Sequence, residues 1–125
     1  MQISSTSLVR SELRPGRMWP WLLVVWTAIV WGGRIRLADG ASGPLLLALT
    51  FLAPALVLAV CLACHSPRVP NAVGALAAWT VAVWVVRVPG IALGGHPIPF
   101  LVVHVVLAVV SVSVAAVALR AVLAT

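Results

Sequence analysis

The sequence predicts an all-α fold, a bundle of four transmembrane helices built from two tandem helical hairpins. Three observations predict it. First, 63% of the residues are hydrophobic and 8% are charged, with mean hydropathy +1.19, whereas a soluble domain carries about 25% charged residues. Second, four apolar runs approach or reach the about 20 residues that a membrane span needs. Third, a ten-residue pattern in the first run recurs in the third at an offset of 53 residues.

The composition excludes several classes. Ten charged side chains in 125 residues cannot cover a water-facing surface, so a soluble enzyme and a disordered tail are ruled out. The net charge is +6, but the eight basic residues are all Arg and lie scattered at the ends of apolar runs. A nucleic-acid partner needs a dense basic stripe and is not expected. Abundant Arg with no Lys or Tyr points to a GC-rich bacterial genome, and hence to a bacterial inner (plasma) membrane.

The elements follow in order. Residues 1–17 form a polar tail with Arg10, Arg14 and Arg17, and the membrane domain is 18–120. The first span, about 18–38, is continuous from Met18 to Gly33 and reaches Ala38 if Arg34 and Arg36 snorkel. Its resemblance to a signal-peptide core is set aside, because those two Arg stand before any small-residue cleavage site. The second span, about 45–64, contains Pro54, which should bend it. The third, about 71–93, is expected to distort or end at Pro89. The fourth is about 97–119, and 121–125 form a short tail. The runs are continuous, without the in-and-out alternation of barrel strands.

Short connections bearing Asp39-Gly40, Pro67 and Pro70, and Gly94-Gly95-His96-Pro97 make neighbours antiparallel. The tail, the second loop and the C-terminus carry five Arg, and the other side carries three. The positive-inside rule then puts both termini in the cytoplasm.

The repeat reads W-T-x-x-V-W-x-x-R-[IV]. It runs from Trp26 to Ile35 and again from Trp79 to Val88, and the same offset superposes Pro44 on Pro97. Each copy holds two spans, so this is a parallel repeat with an expected pseudo-two-fold axis along the membrane normal. Thr27, Trp31 and Arg34 share a helix face by their spacing, as do Thr80, Trp84 and Arg87. Arg34 lies about 22 Å beyond Trp19 along the axis, near the outer boundary of the about 30 Å core. Trp one turn earlier can support it by cation–π contact. Two readings stand: aromatic-belt anchors, or an Arg34/Arg87 pair with Trp31 and Trp84 around an outer vestibule for an anionic group or lipid headgroup.

His104 lies inside the fourth span, seven residues before Ser111. It is either a neutral histidine hydrogen-bonded between helices or a proton-linked or ligand-binding site. His65 and His104 differ in depth by about 21 Å and cannot share one haem iron. Cys61-x-x-Cys64-His65 matches the c-type haem attachment string. It allows haem, a metal or a redox thiol pair, beside the plain reading of small core-filling cysteines. Its position at the cytoplasmic end of a span opposes haem, and a thiol–quinone relay would need a second Cys pair. No cofactor is therefore expected. Both acidic residues, Glu12 and Asp39, lie outside the spans, which excludes a small cation exporter built on a membrane carboxylate. No Ser-His-Asp, zinc-protease or phosphate-loop pattern is present.

The W-T-x-x-x-W-x-x-R segment, Arg87-Val88-Pro89 and the series His96, Phe100, His104, Ser111, Arg120 resemble small uncharacterised four-span membrane proteins of actinobacteria. That resemblance implies a bacterial inner-membrane four-helix protein and brings no activity. The functional expectation is a non-enzymatic structural or interaction protein of the membrane. The alternative is a small-ligand or lipid binding or transport module using Arg34, Arg87 and His104, and the third is a redox protein using Cys61, Cys64 and His65. Membrane lipids are the expected partners. A homo-oligomer or another membrane protein is open, because Gly32-Gly33 and Gly74, Ala75, Ala77 and Ala78 allow close helix approach.

Overall fold

The computed structural model describes residues 15–37 and 42–124. Four helices follow in order: α1 (Pro15–Leu37), α2 (Ser42–Ala63), α3 (Val69–Leu93) and α4 (Ile98–Leu123). There is no strand among the described residues. The shortest helix has 22 residues, about 33 Å of rise, and all four are long and apolar enough to cross a membrane. The architecture is that of a multi-pass membrane protein. Most of the N-terminal tail and most of the first connection, with Glu12 and Asp39, lie outside the described residues.

The helices pack in the ring order α1–α2–α3–α4, with α1 and α4 closing the ring and α2–α3 forming the thinnest seam. The buried positions explain the packing. In α2 they are Ala48, Phe51, Ala55, Leu58 and Leu62, spaced by alternating threes and fours. In α4 they are His104, Ala108, Ser111, Ala115, Ala118 and Val122, spaced in the same way. This spacing gives one continuous seam per helix, the pattern of a left-handed bundle. Small residues on α4 let the neighbouring helices approach closely, which is how helices associate where lipid removes the hydrophobic drive.

The third span runs to Leu93, the expected end. Of the two outcomes expected at Pro89, ending the helix does not occur, and α3 continues through Gly90. A proline removes one backbone hydrogen bond, here to the Val85 carbonyl. The Pro89 ring is exposed, so it displaces no neighbour, and membrane helices tolerate such an interruption. The chain turns instead at Gly94 and at Gly95, whose φ of +73° lies in the left-handed region. The small residues expected at a dimer face are also partly used inside. Ala77 is buried, and a Cβ on Gly74 would touch Leu119 of α4 at 4.0 Å.

The end of the bundle that carries Arg17 and the second loop is closed by polar contacts. The Arg17 guanidinium donates to the Leu62 carbonyl at the end of α2, a favourable place for a cation. The Ser66 N–H bonds the Cys61 carbonyl at 2.9 Å and the His65 N–H bonds the Leu62 carbonyl at 3.2 Å. With His65 at φ +52°, these two bonds form a Schellman cap that terminates α2.

Candidate functional site

The other end of the bundle holds a cavity of about 820 Å³, half open to the surroundings, within the range of small-molecule sites, about 300–1,000 Å³. It lies where the last turns of α1 and α3 meet the first turns of α2 and α4. Arg34 comes from α1, Arg87 from α3, His104 from α4, and Gly43 and Pro44 from the start of α2. Trp31 forms part of the wall. Four of the five residues expected to bind a ligand are thus brought together.

The fifth is not. Trp84 is 1% exposed and does not line this cavity. It sits behind the wall, its ring 6.0 Å from that of Trp31. Trp31 also stacks on Phe51 with centroids 4.0 Å apart, and Phe51 lies 6.0 Å from Trp79. Trp31 thus links the cavity wall to a cluster of aromatic rings behind it. Trp31 also supports the Arg34 guanidinium, whose carbon lies 5.4 Å from the ring centroid. This is the expected cation–π contact at spacing three.

Arg34 and Arg87 both line this cavity. Neither has an acidic partner among the described residues, because both carboxylates of the chain lie outside them. Arg87 Nε is buried without a hydrogen-bond partner, as is Trp84 Nε1. A buried guanidinium N–H with no acceptor is unfavourable by about 1–3 kcal/mol or more, so the pair is set to receive an anion.

His104 is 7% exposed. Its Nδ1 lies 2.8 Å from the Phe100 carbonyl. A carbonyl only accepts, so Nδ1 carries the proton and Nε2 is the ring's remaining polar atom. The bond is within α4 and not between helices, as one of the two sequence readings expected. Phe100 stacks between His96 and His104, at 4.7 Å and 4.1 Å. Phe100 and Trp26 both line the cavity and were not singled out as site residues. The spacing of four from His104 was a usable signal for Phe100, and the first Trp of the repeat was one for Trp26. Trp26 Nε1 donates to Ser111 Oγ at 2.8 Å, joining α1 to α4.

Cys61, Cys64 and His65 lie at the opposite end of α2, about 30 Å from Pro44 along the axis. Cys61 is half-buried, Cys64 is exposed and both are free thiols. Among the described residues no three His, Cys, Asp or Glu converge as metal ligands. The backbone of the string supplies the Schellman cap of α2.

Comparison with protein-family models, curated proteins and solved structures found no match.

Proposed function

We propose that the chain is a non-enzymatic multi-pass protein of a bacterial inner membrane that binds an anionic group between Arg34 and Arg87. The observation that carries this reading is the buried Arg87 Nε, which has no hydrogen-bond partner, in a cavity that Arg34 also lines. Its described wall holds no hydroxyl, thiol or carboxylate side chain, which favours a binding surface over nucleophilic chemistry of those types. A role as interfacial anchors would account for the two charges but not for the buried, unpartnered Arg87 Nε. The Arg distribution supports cytoplasmic termini and hence an outward-facing cavity. The W-T-x-x-V-W-x-x-R repeat supports a duplicated hairpin, with Arg34 and Arg87 as equivalent positions.

The test is binding to protein purified in an uncharged maltoside, read by tryptophan fluorescence, because Trp26 and Trp31 line the cavity. The probes are inorganic phosphate and dioctanoyl phosphatidylglycerol. Wild type is expected to bind at least one of them saturably, and Arg34→Gln/Arg87→Gln to lose at least tenfold in affinity. Equal binding by wild type and the double variant overturns the proposal.

A further inference from the structure

The cavity is not a simple bowl at the end of the bundle. Apart from Arg87 on α3 and the first residues of α2, its wall comes from α1 and α4, which face each other across one seam. Ile29 on α1 is 63% exposed and Val103 on α4 is 54% exposed, and both also line the cavity. A residue that lines a cavity and faces outward marks an opening. Ile29 lies eight residues before the end of α1 and Val103 five residues after the start of α4, so in a membrane-spanning bundle both lie below the helix ends and face lipid, and the opening is lateral. Gly33 stands beside it, and a Cβ there would meet nothing within 4 Å. The Trp26–Ser111 hydrogen bond spans the same seam deeper in the bundle. Trp26 lies eight residues before Arg34, so the seam is open over about 12 Å, close to the about 15 Å of one leaflet.

The geometry points to an anionic phospholipid as the occupant, with its phosphate on Arg34 and Arg87 and an acyl chain in the α1–α4 seam. This inference rests on the anion-binding reading above and names its substrate class. A water-soluble anion would use the arginines but has no use for an apolar slot walled by Ile29, Val30, Val103 and Leu107. A lipid uses both. Two guanidiniums lining one cavity complement a phosphate diester. A zwitterionic headgroup would bring its own cation into the same electropositive space.

The experiment compares dioctanoyl phosphatidylglycerol, its tail-free headgroup glycerophosphoglycerol, inorganic phosphate and dioctanoyl phosphatidylcholine on the full chain in maltoside. Variants are Gly33→Phe, which fills the opening where space is free, and Gly32→Phe on the same helix. Gly32 also has free space at its Cβ position but does not line the cavity. Phosphatidylglycerol is expected to bind at least tenfold more tightly than the headgroup, phosphate or phosphatidylcholine. Gly33→Phe is expected to lose at least tenfold for that lipid with an unchanged melting temperature, and Gly32→Phe to bind as wild type. Headgroup binding equal to lipid binding, with no effect of Gly33→Phe, overturns the lateral lipid site and leaves the anion site standing. Loss of binding in Gly32→Phe and Gly33→Phe alike also overturns the slot. Absence of arginine-dependent binding for every probe overturns both.

Discussion

Trp31 lies flat on Phe51, with ring planes 9° from parallel. The pair joins α1 to α2, and the Arg34 guanidinium lies over the Trp31 ring. Both rings are essentially buried, at 3% and 0% exposure, so removing either leaves a void that its rigid neighbours Trp79 and Trp84 cannot fill. Trp31→Ala and Phe51→Ala are each expected to destabilise the bundle by about 3–5 kcal/mol. Trp31→Phe should lose less, because a ring remains on Phe51. Thermal unfolding in detergent checks the order, and an alanine variant that melts with wild type contradicts it.

Much of this end of the molecule was legible in the sequence because helical spacing is rigid. Trp31 and Arg34, three apart, had to share a face, and the structure shows the cation–π contact. What spacing within one helix cannot give is which neighbour a side chain meets. Arg87 has the same local spacing as Arg34, yet it reaches a cavity otherwise walled by α1, α2 and α4. Trp84, the counterpart of Trp31, falls behind the wall, because tertiary packing treats the two positions differently. Pro89 left two outcomes open, distortion or an end, and the helix does not end there. A breaker rule for water does not hold where no solvent competes for the backbone and the ring points outward.

The Trp26–Ser111 hydrogen bond joins the two helices that flank the proposed lipid slot. Interhelical hydrogen bonds in membrane proteins average about 0.6 kcal/mol, with a maximum of about 1.7. Ser111→Ala should therefore lower stability by about that amount, and so should Trp26→Phe. A double-mutant cycle isolates the bond. The two losses should be less than additive, and full additivity shows that the bond contributes nothing.

The α3–α4 turn depends on two glycines for different reasons. A Cβ on Gly94 would lie 3.0 Å from the Gly90 carbonyl and 3.1 Å from the His96 ring. Gly95 has free space but a left-handed φ of +73°, where L-residues are disfavoured by about 1–2 kcal/mol. Gly94→Ala and Gly95→Ala should each lower the melting temperature. Gly90→Ala, in open space inside α3, should raise it through about 0.5–1 kcal/mol of helix preference. Melting curves of the three variants separate steric, conformational and propensity effects.

Cys61 and Cys64 contribute backbone to the end of α2, and only Cys61 has its side chain partly inside. If their sulfurs have no redox or metal role, Cys61→Ala/Cys64→Ala keeps the Schellman cap, since the cap uses main-chain groups. The double variant is expected to match wild type in lipid binding and to melt within about 1 kcal/mol of it, the scale of a small side-chain truncation. Optical spectra and metal analysis of both proteins complete the check. A Soret band or bound metal present in wild type and lost in the variant would show that the thiols hold a cofactor.

Arginine at 34 and 87 should not be replaceable by lysine. Arg34 presents a planar guanidinium above Trp31, and Arg87 buries an Nε that lacks a partner. Lysine keeps the charge but has neither the plane nor the second donor site, and an ammonium is more strongly hydrated. A bidentate contact to a phosphate therefore becomes a point-charge contact. Losing the equivalent of one charge-assisted hydrogen bond, about 1.5–3 kcal/mol, corresponds to roughly 10–150-fold in affinity at about 1.4 kcal/mol per decade. Arg34→Lys and Arg87→Lys are each expected to fall in that range for dioctanoyl phosphatidylglycerol, with Arg34→Gln and Arg87→Gln weaker still. Lysine variants that bind as well as wild type would show that the site reads charge alone and that guanidinium geometry has no part in it.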